Sequence, residues 1–476
     1  MRRFKAVSSV CDAISTQRNI PRSSRYLSTA VQRTTRRTFV PTATSTVHIS
    51  RTCPPRNEPS VLQRRNASST SDTTDLRKTP LYDLHLSHGA KMVPFGGFHM
   101  PVSYSGLSVI ASHHFTREHA SLFDVSHMVQ HYMSGPGAEK FLERVTPMDV
   151  RALDRGQGGL SVLLNASGGI VDDTIIARLG DEGFYIVTNA GCREKDLKYL
   201  AEELEEFKKA GGDEVIWEVL DGRGLIALQG PESEAILKSL MEEGKGEELR
   251  NMYFGSSRSI QLKLENGKLS SPVLVSRGGY TGEDGFEISV SEEETTAVTE
   301  ALLKGAGPEK LQLAGLGARD SLRLEAGMCL YGHDLNEAIT PVEAGLSWVI
   351  GKSRRTPESA TFNGADKILA QLTPKSKGGA GVSIRRVGLG GEGAPAREGA
   401  KIVDAEGNEI GNVTSGCPSP TLGKNIAMGY VKDGMHKAGT EVGVVVRGKV
   451  RKMKIKKMPF VAAKYYKAGE TGTAPA

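Results

Sequence analysis

Two adjacent carboxylates, Asp172 and Asp173, close the string Gly168-Gly169-Ile170-Val171-Asp172-Asp173. Two glycines and an apolar pair set them at a strand or turn edge, with backbone close by. Acids fixed in such a place can protonate a leaving group or stabilise a developing cation. Adjacent acids also cap turns, so the pair alone does not fix a role. Glu287 alternates with Phe286 and Ile288. Its carboxylate therefore faces away from the apolar side of a strand, toward solvent or an interior space. Arg319 and Arg323 are four residues apart and share a helix face, with Asp320 and Glu325 near enough to satisfy them structurally. Cys192 follows Asn189-Ala190-Gly191. No general base is set beside it by sequence, and it reads as structural.

Two other patterns carry less than they promise. Gly388-Leu389-Gly390-Gly391-Glu392-Gly393 matches GxGxxG, but a dinucleotide site needs a helix to follow. Ala394-Pro395 follows instead. His113, His114, His119, His127 and His131 form a cluster in sequence. Glu118-His119 has no histidine three residues beyond it, so no HExxH motif forms and no metal is expected.

The elements that must position these residues are mixed irregularly. Leu197, Leu200, Leu204 and Phe207 recur at helical spacing, which predicts an amphipathic helix over 193–209. Pro231 opens a second helix through Leu240. Phe184–Val187, Leu225–Leu228, Val273–Ser276 and Phe286–Val290 read as strands. Irregular alternation implies α+β rather than repeating βαβ. A break at 352–381 reads as a linker. Beyond it Val382–Leu389, Lys401–Val403, Glu409–Val413, Ile426–Val431, Glu441–Val446 and Lys449–Met458 are short strands between Gly, Pro and Asn turns, predicting a C-terminal all-β barrel over 382–466. The last of these alternates Lys449, Arg451, Lys452, Lys454 and Lys456 with Val450, Met453 and Ile455. It reads as an edge strand guarded by lysines, or as a landing surface for an acidic partner.

The 476 residues carry a net charge of +6, unevenly spread. Residues 1–71 hold 13 Lys+Arg, 2 Asp+Glu and 22 Ser+Thr, whereas the remainder holds 48 basic and 53 acidic residues. An Arg-rich, Ser-rich, acid-poor start is the composition of a mitochondrial transit peptide, so 1–75 is expected to be presequence and lead-in. Cleavage could fall near Arg25-Tyr26 or after Arg65. The mildly acidic body gives no case for nucleic acid, and its aromatics, 6% of the chain and unclustered, offer no stacking platform. No run of 18 apolar residues exists, so no membrane association is expected. Three cysteines remain beyond the presequence, an odd number without CxxC spacing, as suits a reducing compartment.

Eight strings, in order, carry a resemblance. They are Leu122-Phe123-Asp124-Val125-Ser126-His127-Met128, the Asp172-Asp173 string, Asn189-Ala190-Gly191-Cys192, Gly278-Gly279-Tyr280-Thr281-Gly282-Glu283-Asp284-Gly285-Phe286-Glu287-Ile288, the run 315–327 around Arg319, Pro341-Val342-Glu343-Ala344-Gly345-Leu346, Thr414-Ser415-Gly416-Cys417-Pro418-Ser419-Pro420, and Met458-Pro459-Phe460-Val461 before Tyr465-Tyr466. From about Thr79 to Tyr466 the chain resembles the aminomethyltransferase, or T-protein, family of the glycine cleavage system. The resemblance implies a three-lobed folate-binding fold, with 76–351 as the catalytic region of two interleaved lobes and 467–476 as a tail. It implies transfer of a methylene from the aminomethylated lipoyl arm of H-protein to tetrahydrofolate, in the mitochondrial matrix. The products would be 5,10-methylenetetrahydrofolate, ammonia and the dihydrolipoyl arm. The glycine decarboxylase and dihydrolipoamide dehydrogenase components would be further partners.

By the same resemblance Asp173 is the catalytic carboxylate, Glu287 pairs with the pterin edge, and Tyr280 packs on the folate rings. Arg319 binds folate carboxylates or carbonyls, and Tyr465 makes a C-terminal folate contact. Asn189, Met128 and Leu160 line the site, and Arg323 holds the domain together. Iron–sulfur-assembly relatives of the same fold are the alternative, but their Lys-Gly-Cys-Tyr-x-Gly-Gln-Glu string is missing from the comparable stretch around Tyr331–Asp334 and Thr340–Glu343. Sarcosine-oxidising relatives would need a flavin region for which there is neither room nor motif.

Overall fold

The computed structural model describes residues 76–468 apart from Glu182. The expected presequence therefore lies outside the described residues, as does the tail beyond 468. The described chain forms three lobes, two built on open sheets and one on a closed barrel.

The first sheet runs Ser257–Ile260, Val273–Arg277, Gly285–Val290, Gly224–Gln229, Ala120–Asp124, Leu311–Leu313. One face is apolar at every second residue: Phe286, Ile288 and Val290 bury beside Val273 and Val275. The helices Ser233–Ser239 and Glu292–Ala306 cover that face with Ile236, Leu237, Val298 and Leu302. Each such side chain contributes roughly 1.5–3 kcal/mol by leaving water. The second sheet runs Gly158–Leu164, Ile170–Arg178, Gly183–Thr188, Val129–Ser134, Ile216–Val219. The helix Arg193–Lys209, at its expected bounds, packs there through Leu200, Leu204 and Phe207. The two sheets meet across Phe123, Val125, Tyr185, Val187, Leu225 and Ala227, with Ala318 and Leu322 of the helix Leu316–Glu325 closing the seam.

The segment 352–381, expected as a linker, is a packed element. It carries the helix Ala365–Leu372, and Phe362, Ala365 and Ile368 bury against Val162, Leu164 and Ile170 of the second sheet. Fully buried Arg354 donates to the carbonyls of Thr146, Met148 and Glu143. Its charged surface composition hid this, because the buried side chains are few and widely spaced.

The barrel closes in the order Ile384–Gly391, Lys424–Lys432, Glu409–Ser419, Lys401–Val403, Glu441–Val446, Lys449–Lys456. The basic strand is thus not an edge, which corrects one reading of its lysines. It pairs with Glu441–Val446 on one side and with Gly388–Gly391 on the other. Met453 and Ile455 point into the barrel core while Lys452, Lys454 and Lys456 face out. Closure itself removes the exposed edge. The GxGxxG glycines lie largely on the strand Ile384–Gly391, where Cβ atoms at Gly388 and Gly391 would strike Met458, Phe460 and Met453. They serve packing.

One carboxylate ties barrel to sheets. Asp334 accepts from Arg323 Nη1 at 2.8 Å, from the Leu330 N–H, and from Thr414 and Ser415 of the barrel. Arg323 also donates to Ser415 Oγ at 3.0 Å. Nearby, Glu325 accepts from His113, Arg117, Ser419 and Thr421. Burial pushes its pKa up, but these donors hold it down at about 2.

Candidate active site

Asp173 and Asp172 sit side by side on the strand Ile170–Arg178, so they project to opposite faces. Asp172 is fully buried, whereas Asp173 is half-buried and opens on the same face as the exposed Ile175. Asp173 pairs across the sheet with Val162, and Ile175 pairs with Leu160, which puts Leu160 on the open face too. Asn189 follows the neighbouring strand and bridges the two acids. Its backbone N–H donates to Asp172 Oδ2 at 2.8 Å and its amide to Asp172 Oδ1 at 2.9 Å. The same amide reaches Asp173 Oδ1 at 2.9 Å and the Asp173 carbonyl at 3.2 Å.

Burial, followed by the charge of Asp172, pushes the Asp173 pKa up to about 7, with the Asn189 hydrogen bond opposing. The Asp173 charge in turn reaches Tyr280, whose hydroxyl donates to the Cys329 carbonyl. The Arg319 guanidinium lies over the Tyr280 ring, 4.7 Å from its centroid. Arg319 Nη1 is buried and donates to nothing among the described residues. Desolvation lowers the Arg319 pKa and raises that of Glu287, each the charge that faces the other. Glu287 stands on the strand Gly285–Val290, opposite to the apolar Phe286 and Ile288.

Tyr465 is held by its neighbours in sequence. The Lys464 N–H donates to the Gly282 carbonyl, and its ammonium pairs with buried Glu283 at 3.2 Å. The Phe254 N–H donates to the Tyr466 carbonyl, and Tyr466 stacks on Tyr253. Tyr465 then lies against Phe254, with ring centroids 4.3 Å apart. The Gly158 N–H bonds the Gly255 carbonyl, so this tail sits at the start of the Leu160 strand. Met128 packs beside the seam between the sheets.

All eight expected residues, Asp173, Glu287, Arg319, Tyr465, Tyr280, Asn189, Met128 and Leu160, are partly exposed. Direct contacts or charge interactions link Asn189, Asp173, Tyr280, Arg319 and Glu287 in one series. Leu160 shares the open strand face with Asp173, Met128 packs at the seam, and Tyr465 packs on Phe254. Among the described residues Asp172, Cys192 and Asp196 also come together, all buried. Sequence reasoning passed over Asp196. Its signal was there, because 196 falls on the same buried stripe as Leu200, Leu204 and Phe207. Cys192 is buried, and burial raises its thiol pKa. Of the histidines, His113 bonds Ser321 and Glu325 while His131 bonds Thr188.

The arrangement offers an acid or base of adjustable charge, a guanidinium with one unsatisfied nitrogen, a carboxylate and two tyrosines. Such a set suits a large, flat, multiply hydrogen-bonding co-substrate. Family comparison gives the class. Residues 81–354 match the GCVT N-terminal domain and residues 385–462 the glycine cleavage T-protein C-terminal barrel domain. The chain belongs to the glycine cleavage T-protein family. It is 50% identical over 395 residues to the mitochondrial aminomethyltransferase of Pisum sativum, covering 83% of this chain and 91% of that one. It is 49% identical over 399 residues to that of Saccharomyces cerevisiae, covering 82% and 96%. The crystal structure of glycine cleavage system aminomethyltransferase T from Bartonella henselae superposes with a TM-score of 0.72 at 39% identity, over 82% of this chain and all of that one. The activity is that of a mitochondrial, tetrahydrofolate-dependent aminomethyltransferase of the glycine cleavage system. It works with the other components of that system.

Proposed function

We propose that the partly exposed series from Asn189 to Glu287 is where the methylene of an aminomethylated lipoyl arm, carried on H-protein, passes to tetrahydrofolate. The observation that carries this reading is Arg319: its buried Nη1 lacks an acceptor while Glu287 faces it. A co-substrate bearing both acceptor oxygens and paired N–H donors satisfies both groups at once. Glu287 accepts the pterin N–H pair, Arg319 binds a folate carbonyl or carboxylate, and Tyr280 and Tyr465 supply ring faces. Leu160 and Met128 complete the apolar lining. No metal takes part in this scheme.

The reaction forms two C–N bonds at the methylene and breaks its C–S and C–NH₂ bonds. The two folate N–H protons leave on ammonia and on the thiol. Asp173 orients the attacking nitrogen and stabilises the cation that develops at the methylene. The glycine decarboxylase and dihydrolipoamide dehydrogenase components load and reoxidise the arm. The test is turnover of purified protein with aminomethylated H-protein and tetrahydrofolate, following ammonia and 5,10-methylenetetrahydrofolate together. Equal, folate-dependent release of both is expected. Folate binding without either product, with a competent H-protein, would sink the reading. In that assay Asp173→Asn should lower kcat by about 100-fold or more, the range for a lost acid–base group.

A further inference from the structure

Behind the Asp172–Asp173 strand lies a second carboxylate that the proposed mechanism does not use. Asp172 and Asp196 are both fully buried. Their ligand oxygens and Cys192 Sγ lie within 4.8 Å of one another. Asp172 receives N–H donors on both oxygens, from Asn189. Among the described residues neither oxygen of Asp196 receives a hydrogen bond of good geometry, although the Thr188 hydroxyl and the Asp172 carboxyl face it. The adjoining cation is engaged elsewhere, since Lys195 Nζ donates to the Val171 carbonyl and the Tyr331 hydroxyl. Thr188, Cys192 and Tyr199 are the other polar groups facing Asp196.

Two buried carboxylates in this proximity do not both ionise. Ionised, both are acceptors only, whereas one proton turns either into a donor. Asp172, already solvated by two N–H groups, is the better anion. We propose that Asp196 is held as a neutral carboxylic acid whose O–H donates to Asp172, making it a positioning residue for Asn189 and, through Asn189, for Asp173. This rests on the reading of Asp173 as the reacting carboxylate. A metal ion would need a Cys192 thiolate, which burial opposes, and would compete with Asn189 for Asp172.

The proton can be read directly. Infrared difference spectra of the unaltered protein against Asp196→Asn, at mildly alkaline pH, should lose an un-ionised carboxyl C=O band. Absence of that band overturns the proposal. An amide N–H can donate where the acid O–H did, so Asp196→Asn should keep kcat and leave the pH–rate profile unmoved. Asp196→Ala, which has no donor, should lower kcat about tenfold, or ~1.4 kcal/mol. If Asp196 were ionised, Asp196→Asn would remove a charge near Asp173 and move the profile to lower pH, which refutes the assignment. Stoichiometric metal in the purified protein, lost in Asp196→Asn, refutes it too. Wild-type turnover in Asp173→Asn would instead overturn the reading beneath, leaving the infrared result standing.

Discussion

Asp173 and its neighbour differ by one position and by one face of a strand, and that difference sets their chemistry. Asp172 is sealed in and spends both oxygens on Asn189, while Asp173 keeps an open side. Its pKa of about 7 has two consequences. If the carboxylate is the working form, kcat/KM rises with pH through a limb near 7. Asn189→Ala removes a hydrogen bond that favours the charged form, so the limb should move up. A hydrogen bond to a charged group is worth about 1.5–3 kcal/mol, which makes the shift roughly one to two pH units. A limb that stays put in the pH profile of Asn189→Ala counts against the Asn189–Asp173 link.

The second consequence concerns stability. The folded pKa lies above the unfolded one, so the folded state binds the proton more tightly. Ionising Asp173 therefore costs stability progressively from the ordinary aspartate range up to about 7, and fully above it. Asp173→Asn should melt higher than the unaltered protein at pH 8, with the gap shrinking as pH falls toward 4. Melting curves at several pH values check this, and an equal or lower Tm at pH 8 contradicts it. Loss of turnover with gain of stability is the pattern expected of a strained functional group.

At the scale of elements, periodicity made much of the frame readable. The helix over 193–209 and the strands around Phe286 and Leu225 follow from apolar side chains at regular spacing. What periodicity could not carry were contacts between charged residues far apart in the chain. Asp334 drew attention only as part of a missing motif, yet it joins Arg323, eleven positions before it, to Thr414 and Ser415, some eighty positions after it. The strand Glu409–Ser419 likewise runs past the expected Val413, because a bulge between Val413 and Ser415 lets Thr414 and Ser415 reach that carboxylate. The barrel itself was legible in its short strands between turns, but that its basic strand is not an edge was not, since pairing of the first and last strands is non-local. Asp334→Ala leaves buried Arg323 with the exposed Asp320 as its remaining carboxylate, and removing one partner of a buried pair costs up to about 3–5 kcal/mol. The barrel should loosen first: limited proteolysis should cut near the exposed stretch 373–378 in the variant before the sheets unfold. A single cooperative transition at the unaltered Tm would show that the lock is not needed.

The whole molecule divides by charge as well as by lobe. Residues 1–71 carry a balance of +11 and the rest −5, so a single cut turns a basic chain of pI ≈ 8.9 into an acidic one. The folded unit starting at Leu76 contains every residue of the candidate site. Import with removal of the first stretch should therefore cost no catalytic group. The protein recovered from mitochondria should begin after Arg65 and focus below pH 7, at the turnover of a chain started at residue 76, since a cut near Arg25 would keep seven arginines against Glu58. Terminal sequencing with isoelectric focusing measures the first two, and the assay with H-protein the third. An imported form that keeps its basic start, or a chain from residue 76 that binds folate yet turns over poorly, would give the first segment a part in catalysis. The acidic body also means that docking of the proposed H-protein partner does not draw on bulk attraction between opposite charges. It must depend on local features such as the outward lysines of the strand Lys449–Lys456. Charge reversal of Lys454 and Lys456 should then raise the apparent KM for H-protein while leaving that for folate unchanged, and an unchanged KM for both would assign those lysines to barrel solubility alone.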